Sequence, residues 1–428
     1  MTDTIFAEAT ARGRAGVAVI RISGPRAIWA AEQLAGALGA DRAAVVRALR
    51  DEAGEVIDTA LVIGFAAPRS FTGEDVVEMQ CHGSLAVMSA VLGRLQRLPG
   101  LRLADPGEFT RRALQNGRLS LSQVEGLSDL LAAETEMQRR LAQRVASGAI
   151  GALAQGWRGQ LVRALALMTA AIDFSDEDLP EALLEQSAET LRDVRGALER
   201  ECAGVAVAER IRDGFVVAIL GRPNVGKSTL LNVLAGREAA ITSSVAGTTR
   251  DVIEVRLDLG GLPVTLLDTA GLRESDDAVE ALGMERARAR ADSADLRIIL
   301  VDEQGAPEGI EVRADDIVVR GKADLGGDGW LSGTTGQGVD RLVELVRARL
   351  AGRAAGAETA TRARHRVAME RAAQALGRAL DLLNTESAYQ ELVAEEVQAA
   401  LRALDSLVGR VDVEDVLDDI FTQFCLGK

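Results

Sequence analysis

Short apolar runs alternate with stretches of helical periodicity in the first part of the chain, residues 1–118. Residues 27–40 and 84–98 carry apolar side chains at helical spacing, and glycine and proline separate the elements. Three apolar runs have the length of strands, at residues 17–22, 56–65 and 75–79. This pattern predicts an α+β domain.

The pattern changes twice further along the chain. Between residues 119 and 210 the strand-like runs vanish, and Ala, Leu, Arg and Glu recur with helical period. From 214 to 352, strands, Gly-rich loops and helices alternate, which is typical of a parallel doubly wound sheet. Helical composition returns over 355–428. The simplest packing joins both helical stretches into one domain with the α/β segment inserted, because the two ends of a domain usually lie close together.

Charge and cysteine content narrow the class of protein. With 64 acidic and 49 basic residues the net charge is -15, which disfavours global binding to a nucleic-acid backbone. Three scattered cysteines, at 81, 202 and 425, cannot build a disulfide framework, which indicates a reducing compartment. The acidic start is unlike a signal peptide, and no apolar run reaches the ~18 residues of a membrane span. We expect a cytoplasmic protein with no membrane segment.

A phosphate-binding motif opens the α/β segment. Residues 221–228 (GRPNVGKS) match GxxxxGK(S/T) between the strand-like FVVAIL and the helix-like TLLNVLAG. In this context the loop amides and the helix N-terminus bind phosphates. Lys227 would reach the β and γ oxygens, and Ser228 would be a magnesium ligand.

Two further motifs follow predicted strands. Residues 268–271 (DTAG) end the strand VTLLD, which fits a carboxylate near magnesium and a glycine amide that binds the γ-phosphate. After the strand IVVR, Asp324 can accept both N1–H and the exocyclic amine of guanine. GTPases of this type usually have Asn-Lys-x-Asp, but here Gly321 replaces the Asn, and Ser332-Gly333 stands where Ser-Ala is expected. Together the motifs predict a guanine nucleotide site; the alternative is a nucleotide-free domain whose glycines only form turns.

A polar loop, residues 241–250 (ITSSVAGTTR), lies between the first two motifs. Thr249 is the natural second hydroxyl ligand for magnesium, and a loop that closes on the γ-phosphate would be a switch. A plain surface connection is the alternative. Leu272 stands where small GTPases have the Gln that orients the attacking water, and an apolar side chain cannot do this. The nearby carboxylates that could help, or that only form a solvated loop, are Glu274, Asp276, Asp277 and Glu280.

Distinctive motifs also lie at both ends of the chain. They are GRAGVAVIRISGP, SFTGEDVVEMQCHGS and PGEFTRRALQNGRLSLSQVEG near the N-terminus and Cys-Leu-Gly-Lys at the C-terminus. With the α/β segment, they resemble the tRNA-modification GTPase family MnmE, also called TrmE, over nearly the whole chain. The resemblance implies an α+β tetrahydrofolate-binding and dimerisation domain (1–118). It also implies an α-helical central domain formed from two segments (119–210 and 355–428) and an inserted α/β Ras-like P-loop G domain (214–352).

The resemblance implies a homodimeric GTPase that works with the FAD-binding protein MnmG, in a heterotetramer, on tRNA. The reaction adds an aminomethyl or carboxymethylaminomethyl group at C5 of the wobble uridine. The one-carbon unit comes from 5,10-methylenetetrahydrofolate, of which 5-formyltetrahydrofolate is an analogue. GTP, Mg²⁺ and K⁺ are the other implied ligands. The G domains pair when GTP and potassium bind, potassium supplies the charge that an arginine finger gives elsewhere, and hydrolysis drives the conformational change.

Carried over residue by residue, the resemblance fills the nucleotide site. The general base that orients water falls on Glu280, a choice that the residues alone left open. Magnesium falls on Ser228 and Thr249, and potassium on Asn224, Ser243, Val245 and Thr248. The implied GTP-binding positions are Asn224, Val225, Gly226, Lys227, Ser228, Thr229, Ser243, Ser244, Val245, Ala246, Gly247, Thr248, Thr249, Asp268, Thr269, Ala270, Gly271, Lys322, Asp324, Ser332 and Gly333.

The implied folate site comprises Arg21, Glu78, Arg118 and Lys428. A glutamate can pair with the pterin N–H and amine, while cations meet the glutamate tail. Arg118 stands where the family often has Lys, which keeps the charge and changes the geometry. As alternatives, Arg21 and Glu78 end strand-like runs and could be rim charges, and Lys428 could be a solvated terminal charge.

Cys425 is the implied catalytic thiol, since a thiolate is a competent nucleophile for a one-carbon adduct. The apolar residues of 413–424 have amphipathic spacing, so a cysteine that only caps a packed helix is the alternative. His365 lies in the basic run TRARHR, and we expect a solvated helix face there. His82 either lies near the folate pocket or makes a structural hydrogen bond.

Two rival functions belong to other classes. A ribosome-assembly GTPase would carry a basic RNA-binding domain or a second Walker loop, and neither occurs in the sequence. Leu272 and Gly321 favour the other rival function, a nucleotide-sensing scaffold with little hydrolysis. Potassium-stimulated turnover would exclude the scaffold.

Overall fold

The computed structural model describes residues 3–173, 181–237, 241, 254–268, 291–306, 310–326, 328–385, 390–409 and 427. The chain divides into two compact units, and each is described by itself. The first unit contains residues 1–128 and 408–428, and the second contains residues 129–407.

One six-stranded sheet forms the centre of the first unit. Its strands are β1 (Thr4–Glu8), β2 (Ala15–Ser23), β3 (Ala44–Arg50), β4 (Val56–Phe65), β5 (Val76–Gly83) and β6 (Leu101–Leu103). The spatial order is β3-β4-β5-β2-β1-β6, antiparallel throughout except for the parallel pair β1 and β6. The apolar runs predicted β2, β4 and β5. They missed β1, β3 and β6; in β3 and β6, arginines interrupt the pattern.

Four helices accompany this sheet: α1 (Ala27–Ala35), α2 (Leu85–Gln96), α3 (Glu108–Gln115) and α4 (Leu121–Ala132). The helix predicted over 27–40 ends earlier, at Ala35. Gly36 follows it with a left-handed φ of 69°, a conformation that closes a helix and that glycine adopts without steric cost.

The two faces of the sheet have separate cores. Phe6, Ile20 and Ile22 pack with apolar residues of α1 and α2. Ile5 and Ala7, which alternate with Phe6 along β1, pack on the opposite face with Phe109 of α3. Successive strand residues point to opposite faces of a sheet. In β2, the apolar Ile20 and Ile22 therefore lie on the face covered by α1 and α2, and the polar positions lie on the face covered by α3.

In the described part of the second unit, five helices precede or follow the α/β segment along the chain. They are α5 (Glu136–Ala146), α6 (Ala149–Asp173), α7 (Glu181–Asp213), α10 (Ala363–Leu383) and α11 (Gln390–Leu407). Four of them, α6, α7, α10 and α11, pack against one another. The helical stretches before and after the α/β segment therefore meet in space, although that whole segment separates α7 from α10 along the chain.

A five-stranded sheet lies between α7 and α10 in sequence. Its elements are β7 (Phe215–Gly221), α8 (Lys227–Ala235), β8 (Glu254–Leu259), β9 (Leu262–Asp268), β10 (Leu296–Val301), β11 (Ile317–Arg320) and α9 (Val339–Ala354). The order is β11-β10-β7-β9-β8. The prediction of a parallel sheet is correct for four strands and wrong for β8, which is antiparallel to β9. The reason is a two-residue turn at Gly260 and Gly261, both with positive φ, which makes a hairpin.

The sheet shares its hydrophobic core with two helices of the preceding segment. Leu141 of α5 and Ala208 and Ile211 of α7 are buried in the same cluster as Phe215 and Val264. At the edge of this cluster the Met137 amide donates to the Gly261 carbonyl at 3.2 Å. The α/β segment is thus joined to the helices by packing as well as by the chain.

The chain returns from the α/β segment along the side of α7. The buried Glu201 carboxylate accepts hydrogen bonds from the amides of Thr359 (2.6 Å) and Ala360 (2.7 Å). Close by, the buried His365 accepts from the Thr361 amide at 3.3 Å. The prediction of a solvated helix face at His365 is wrong, because this first turn of α10 lies under the returning chain.

We predict that Glu201→Ala and Glu201→Gln differ sharply. The alanine variant leaves two amides without their acceptor and should cost about 2–3 kcal/mol of local stability, whereas glutamine keeps an acceptor oxygen. Burial raises the pKa of Glu201, so the cost of its charge is present at neutral pH and disappears as the pH falls through that raised pKa. Glu201→Gln should therefore be at least as stable as wild type at neutral pH.

Hydrogen exchange of the amides of residues 357–362, followed against pH, measures this stability locally. The exposed Glu344→Gln serves as control. Equal protection in the alanine and glutamine variants would contradict the role of the carboxylate as acceptor.

Candidate functional site

The predicted phosphate loop lies between β7 and α8. Asn224 and Gly226 have left-handed φ values of 61° and 106°, and α8 begins directly afterwards at Lys227. The buried Lys227 amine donates to the carbonyls of Gly221 (2.8 Å) and Arg222 (2.9 Å), so it lies folded over the loop. The positive end of a helix dipole and a lysine amine meet here, which is an arrangement suited to phosphate.

The carboxyl end of β9 lies beside this loop. In the parallel pairing of β7 and β9, Asp268 is opposite Ile219, two residues before the loop begins. The sheet register therefore brings the start of the DTAG motif next to the phosphate loop. Only the backbone of Asp268 is described.

The predicted base-binding loop follows β11 at the same edge of the sheet. Lys322 has a left-handed φ of 60°, and a short 3-10 turn, Ala323–Leu325, carries Asp324. The Asp324 side chain is exposed and makes no hydrogen bond with any described residue. A cavity of about 590 Å³ opens beside this loop. It is lined by Arg320, Gly321, Lys322, Leu325, Gly326, Asp328 and Gly329 and, after β10, by Asp302, Glu303 and Gln304. Asp324 belongs to the same loop, and the space is large enough for a base.

Gly321 and the segment 332–333 lie against the phosphate loop and its helix. A Cβ on Gly321 would lie 3.3 Å from the Val225 carbonyl oxygen, so a side chain here would point at the phosphate loop. Ser332 is buried, and its hydroxyl accepts from the amides of Thr334 and Thr335, each at 3.2 Å. Gly333 contacts the first turn of α8 at Thr229. The structure therefore brings together the described phosphate-loop and base-loop positions.

Several predicted site positions lie outside the described residues. They are Ser243, Ser244, Val245, Ala246, Gly247, Thr248, Thr249, Thr269, Ala270, Gly271, Glu280, Cys425 and Lys428, together with Leu272 and the other three carboxylates of 274–277. Their roles stay predictions.

Two of the predicted folate residues form an ion pair in the first unit. Arg21 of β2 is directly opposite Glu78 of β5. The Arg21 Nε and Nη2 atoms lie 3.0 and 2.8 Å from Glu78 Oε1, and both side chains are largely buried. The apolar runs predicted that both residues lie at strand ends. Both lie inside their strands, because β2 and β5 extend beyond those runs. A charged pair on a mostly apolar sheet is available to a ligand with complementary donors and acceptors.

Aromatic rings and the C-terminal segment flank this pair. The Arg21 guanidinium lies 5.2 Å from the ring centroid of Phe71 and 5.7 Å from that of Phe109. Its Nη1 donates to the Gly427 carbonyl at 3.4 Å. Gly427 has a φ of 96°, and a Cβ there would overlap the Glu8 carbonyl oxygen, so the position requires glycine. Gly427, the glycine of the C-terminal Cys-x-Gly-Lys motif, thus lies beside Arg21.

Arg118 is not part of this pair. It is exposed, and its aliphatic stem lies over Gly73, where an added Cβ would be 3.2 Å from Arg118 Cγ. Among the described residues it makes no contact with Arg21 or Glu78. His82 Nδ1 lies 2.7 Å from Asp58 Oδ1. Of the two alternatives for His82, this contact is the structural hydrogen bond.

Sequence reasoning missed a buried ionic network beneath the pair. Arg112 of α3 is fully buried and donates to Asp3 (3.0 Å), Glu74 (3.1 Å) and Glu108 (2.9 Å). Glu74 in turn accepts from Ser23 of β2 at 2.8 Å. Glu74 belongs to the motif SFTGEDVVE and Glu108 and Arg112 belong to PGEFTRRA, but the motifs alone indicate no role for these three residues. Their mixture of acidic and basic residues beside buried aromatics was the available signal.

Burial and hydrogen bonding oppose each other in this network. Burial by itself would raise the pKa of Glu108, but hydrogen bonds from Arg102, the Asp105 amide and Arg112 outweigh it and hold the pKa below its usual value. The pKa of Asp3 is lowered in the same way, against burial, by Arg102 and Arg112. Both carboxylates therefore stay ionised and stabilise the fold around neutral pH.

The two described cysteines are unsuited to nucleophilic chemistry. Burial raises the pKa of the Cys81 thiol to about 12 and that of Cys202 to about 11. Neither forms a thiolate near neutral pH. Within the described part of the chain, no group of three or more His, Cys, Asp or Glu side chains is placed to hold a metal ion.

The parallel strands, the phosphate loop and the adjoining base loop define a P-loop GTPase. Residues 121–425 match the family model described as the MnmE helical domain, and residues 4–118 match the one described as the GTP-binding protein TrmE N-terminus. The chain therefore belongs to the MnmE family of tRNA modification GTPases. It is a GTP hydrolase of tRNA modification.

Relatives of the same length support this assignment. The tRNA modification GTPases MnmE of Ruegeria pomeroyi, Cereibacter sphaeroides and Dinoroseobacter shibae are 59%, 58% and 57% identical to this chain. Each comparison covers 100% of both chains. The fold class is confirmed in its coarse form: a TrmE N-terminal domain, a helical domain and a P-loop α/β segment. Where the structure describes helices, none is long and apolar enough to cross a membrane.

We predict that Arg112→Met destabilises the first unit by about 3–5 kcal/mol, because Glu74 loses the cation that pairs with it and Asp3 and Glu108 keep only Arg102. Wild type should itself lose stability as the pH falls below the ordinary range of carboxylates, about 4, since the lowered pKa values of Asp3 and Glu108 favour the folded state only above it.

Hydrogen exchange of the β1 and β2 amides tests this prediction, with the exposed Arg14→Met as control. Protection in Arg112→Met equal to that of wild type would show that the network does not hold the sheet and α3 together.

Proposed function

We propose that this GTPase depends on potassium and acts with the FAD-binding protein MnmG, as a homodimer within a heterotetramer. The complex adds an aminomethyl or carboxymethylaminomethyl group at C5 of the wobble uridine in tRNA, in the cytoplasm. The G domains pair when GTP and potassium bind, and GTP hydrolysis drives the conformational change. We also propose the domain division of 1–118, 119–210, 214–352 and 355–428.

The observation that carries the nucleotide part is the phosphate loop. Lys227 stands at the start of α8 with its amine over the loop, and the register of β9 brings Asp268 to the same edge. In the proposed complex, Lys227 binds the β and γ oxygens, and the loop amides bind the remaining phosphate oxygens. Asp324 accepts from the guanine base at the other end of the site.

Two cations belong to this proposal. Ser228, in the first turn of α8 next to Lys227, and Thr249 would hold Mg²⁺, a hard ion that prefers such oxygen ligands and neutralises phosphate charge when bound. Asn224, Ser243, Val245 and Thr248 would hold K⁺. The left-handed backbone of the exposed Asn224 is compatible with this role, because Asn tolerates that conformation.

Glu280 is the proposed general base. Leu272 has no group that can orient water, and the resemblance to the MnmE family assigns this role to Glu280. Glu280 would act on the attacking water and leave phosphate and base contacts to other residues. Loss of Glu280 should therefore slow GTP hydrolysis and leave GTP binding intact.

The folate part rests on the Arg21–Glu78 pair. Glu78 would accept from the pterin ring, and Arg21, Arg118 and Lys428 would bind the carboxylates of the glutamate tail of 5,10-methylenetetrahydrofolate. Phe71, which is only partly buried, offers aromatic surface beside Arg21, whereas Phe109 is buried in the core. The reach of Gly427 to Arg21 supports a contribution from the C-terminal segment, in which Cys425 would supply the thiolate for a one-carbon adduct.

We predict that GTP hydrolysis is at least about tenfold faster in potassium than in sodium. Glu280→Ala should lower it by about 100-fold or more, the usual contribution of a general base, while GTP affinity changes little. Turnover in matched buffers, with sizing in each nucleotide state, measures both effects.

The control for this experiment is Glu274→Gln, which keeps the acidic segment otherwise intact. Equal rates in sodium and potassium would contradict the proposed potassium site. Normal turnover of Glu280→Ala would contradict the assignment of Glu280 as general base. A slow rate that no ion changes would favour a nucleotide-sensing scaffold.

We predict that Arg21→Ala and Glu78→Ala each weaken binding of 5-formyltetrahydrofolate by about tenfold or more, because each removes a charged hydrogen-bonding group from the site. GTP binding should be unaffected. Calorimetric titration measures both, and Glu52→Gln, which removes an exposed ion pair of the same unit, is the control. Unchanged folate affinity in both variants would move the site elsewhere.

A further inference from the structure

The β8–β9 hairpin extends from the nucleotide edge of its sheet to the opposite edge. Asp268, the last residue of β9, lies beside the phosphate loop, and the turn at Gly260 and Gly261 closes the other end. The seven residues of β9 separate these ends by roughly 20 Å at the usual rise of a strand. Along β8, the Ile241 amide donates to the Arg256 carbonyl at 2.9 Å. The hairpin is thus attached to the first residue of the predicted switch loop.

The turn of this hairpin rests on the first turn of α5. The Gly261 carbonyl accepts a hydrogen bond from the Met137 amide at 3.2 Å. Leu141, one turn further along α5, is buried in the same hydrophobic cluster as Leu262 and Val264 of β9. A backbone hydrogen bond and apolar packing therefore hold the hairpin and α5 together, so the start of α5 follows a displacement of the turn.

Gln138 connects the start of α5 with the end of α7. Its Oε1 accepts from the Thr135 amide at 3.0 Å, and the Thr135 hydroxyl accepts from the Gln138 amide, which forms a capping box. Its Nε2 donates to the carbonyl of Arg212, in the last turn of α7, at 2.9 Å. One side-chain amide thus fixes the first turn of α5 with its oxygen and holds α7 with its nitrogen.

Arg212 continues the connection to the chain that returns to α10. Its Nη1 donates to the Thr361 carbonyl at 2.9 Å. The next residue, Arg362, donates through Nη2 to Asp129 Oδ1 at 2.6 Å. The Arg212, Arg362 and Asp129 side chains are only 23%, 21% and 14% exposed, so water competes weakly for these bonds. Both chain connections of the α/β segment, after α7 and before α10, are therefore joined at this point.

We propose that these contacts form a coupling route by which the nucleotide state of the α/β segment reaches helices α7 and α10. The route runs from the hairpin through the first turn of α5, Gln138 and Arg212. A paired hairpin moves as a rigid element, so a displacement at its nucleotide end also moves its turn and, with it, the start of α5. The inference rests on the proposed conformational change and states where that change leaves the α/β segment.

The test measures hydrogen exchange of the full-length protein with GDP and with a non-hydrolysable GTP analogue, each with Mg²⁺ and K⁺. In wild type we expect exchange of the amides of residues 357–362 to differ about fivefold or more between the two nucleotides, the usual size of a coupling between sites. Gln138→Glu keeps an oxygen for the capping box but places a second acceptor against the Arg212 carbonyl. This variant should reduce the difference at 357–362 to within about twofold, while the amides of β8 and β9 keep their difference.

Two variants of the same helix serve as controls. Thr135→Val removes the capping hydroxyl of α5 and leaves the bond between Gln138 and Arg212, so α5 should exchange faster while the difference at 357–362 remains. Gln143→Ala lies on the exposed side of α5 and should change neither. Should Gln138→Glu not fold, Arg212→Met removes the next bond of the route, with the same loss expected at 357–362.

A difference at 357–362 that persists in Gln138→Glu would overturn the coupling route. Loss of the difference in Thr135→Val as well would also overturn it, because helix capping alone would then explain the effect. If β8 and β9 of wild type differ between the nucleotides but 357–362 do not, the route fails and the proposed conformational change stands. If no part of the chain differs, the proposed conformational change fails, and the route fails with it.

Discussion

The parallel pairing of β7 with β9 and β10, and of β10 with β11, is the constraint on which the nucleotide site depends. Parallel strands end at a common edge, so the loops that follow β7, β9 and β11 converge although they are far apart in sequence. The phosphate loop, the start of the DTAG motif and the turn that carries Asp324 all follow such ends. No side chain has to draw these loops together; their side chains need only supply the chemistry.

In the first unit, buried charges bring distant segments of the chain together. Arg112 links the chain start, the loop before β5 and α3 through three carboxylates, and Ser23 connects that network to the strand of Arg21. Buried charges without partners are very costly, so this network permits few arrangements of the three segments. The Arg21–Glu78 pair, with its aromatic flanks, lies on the base that the network fixes. The pair proposed to bind folate is thus connected to the structural charges through β2.

Local signals predicted the features that depend on short stretches of sequence. The phosphate loop could be read from eight consecutive residues, and most strands of the sheets from their apolar runs. Features set by distant residues could not be read in this way. The burial of His365 depends on a returning chain that the sequence does not place, and the direction of β8 depends on a turn whose glycines also suit an ordinary loop. The closeness of Gly333 to α8 follows from packing between segments about a hundred residues apart.

The packing of α10 and α11 on α6 and α7 has a consequence for how the protein is made. The whole α/β segment leaves the ribosome after α7 and before α10, and at typical rates its synthesis takes roughly ten to thirty seconds. During this interval the apolar faces of α6 and α7 lack the helices that cover them in the finished chain. An α/β segment that folds promptly shortens the loop that must close, because its two ends then lie near each other. The half-built bundle therefore exposes apolar surface that promotes aggregation until α10 and α11 are made.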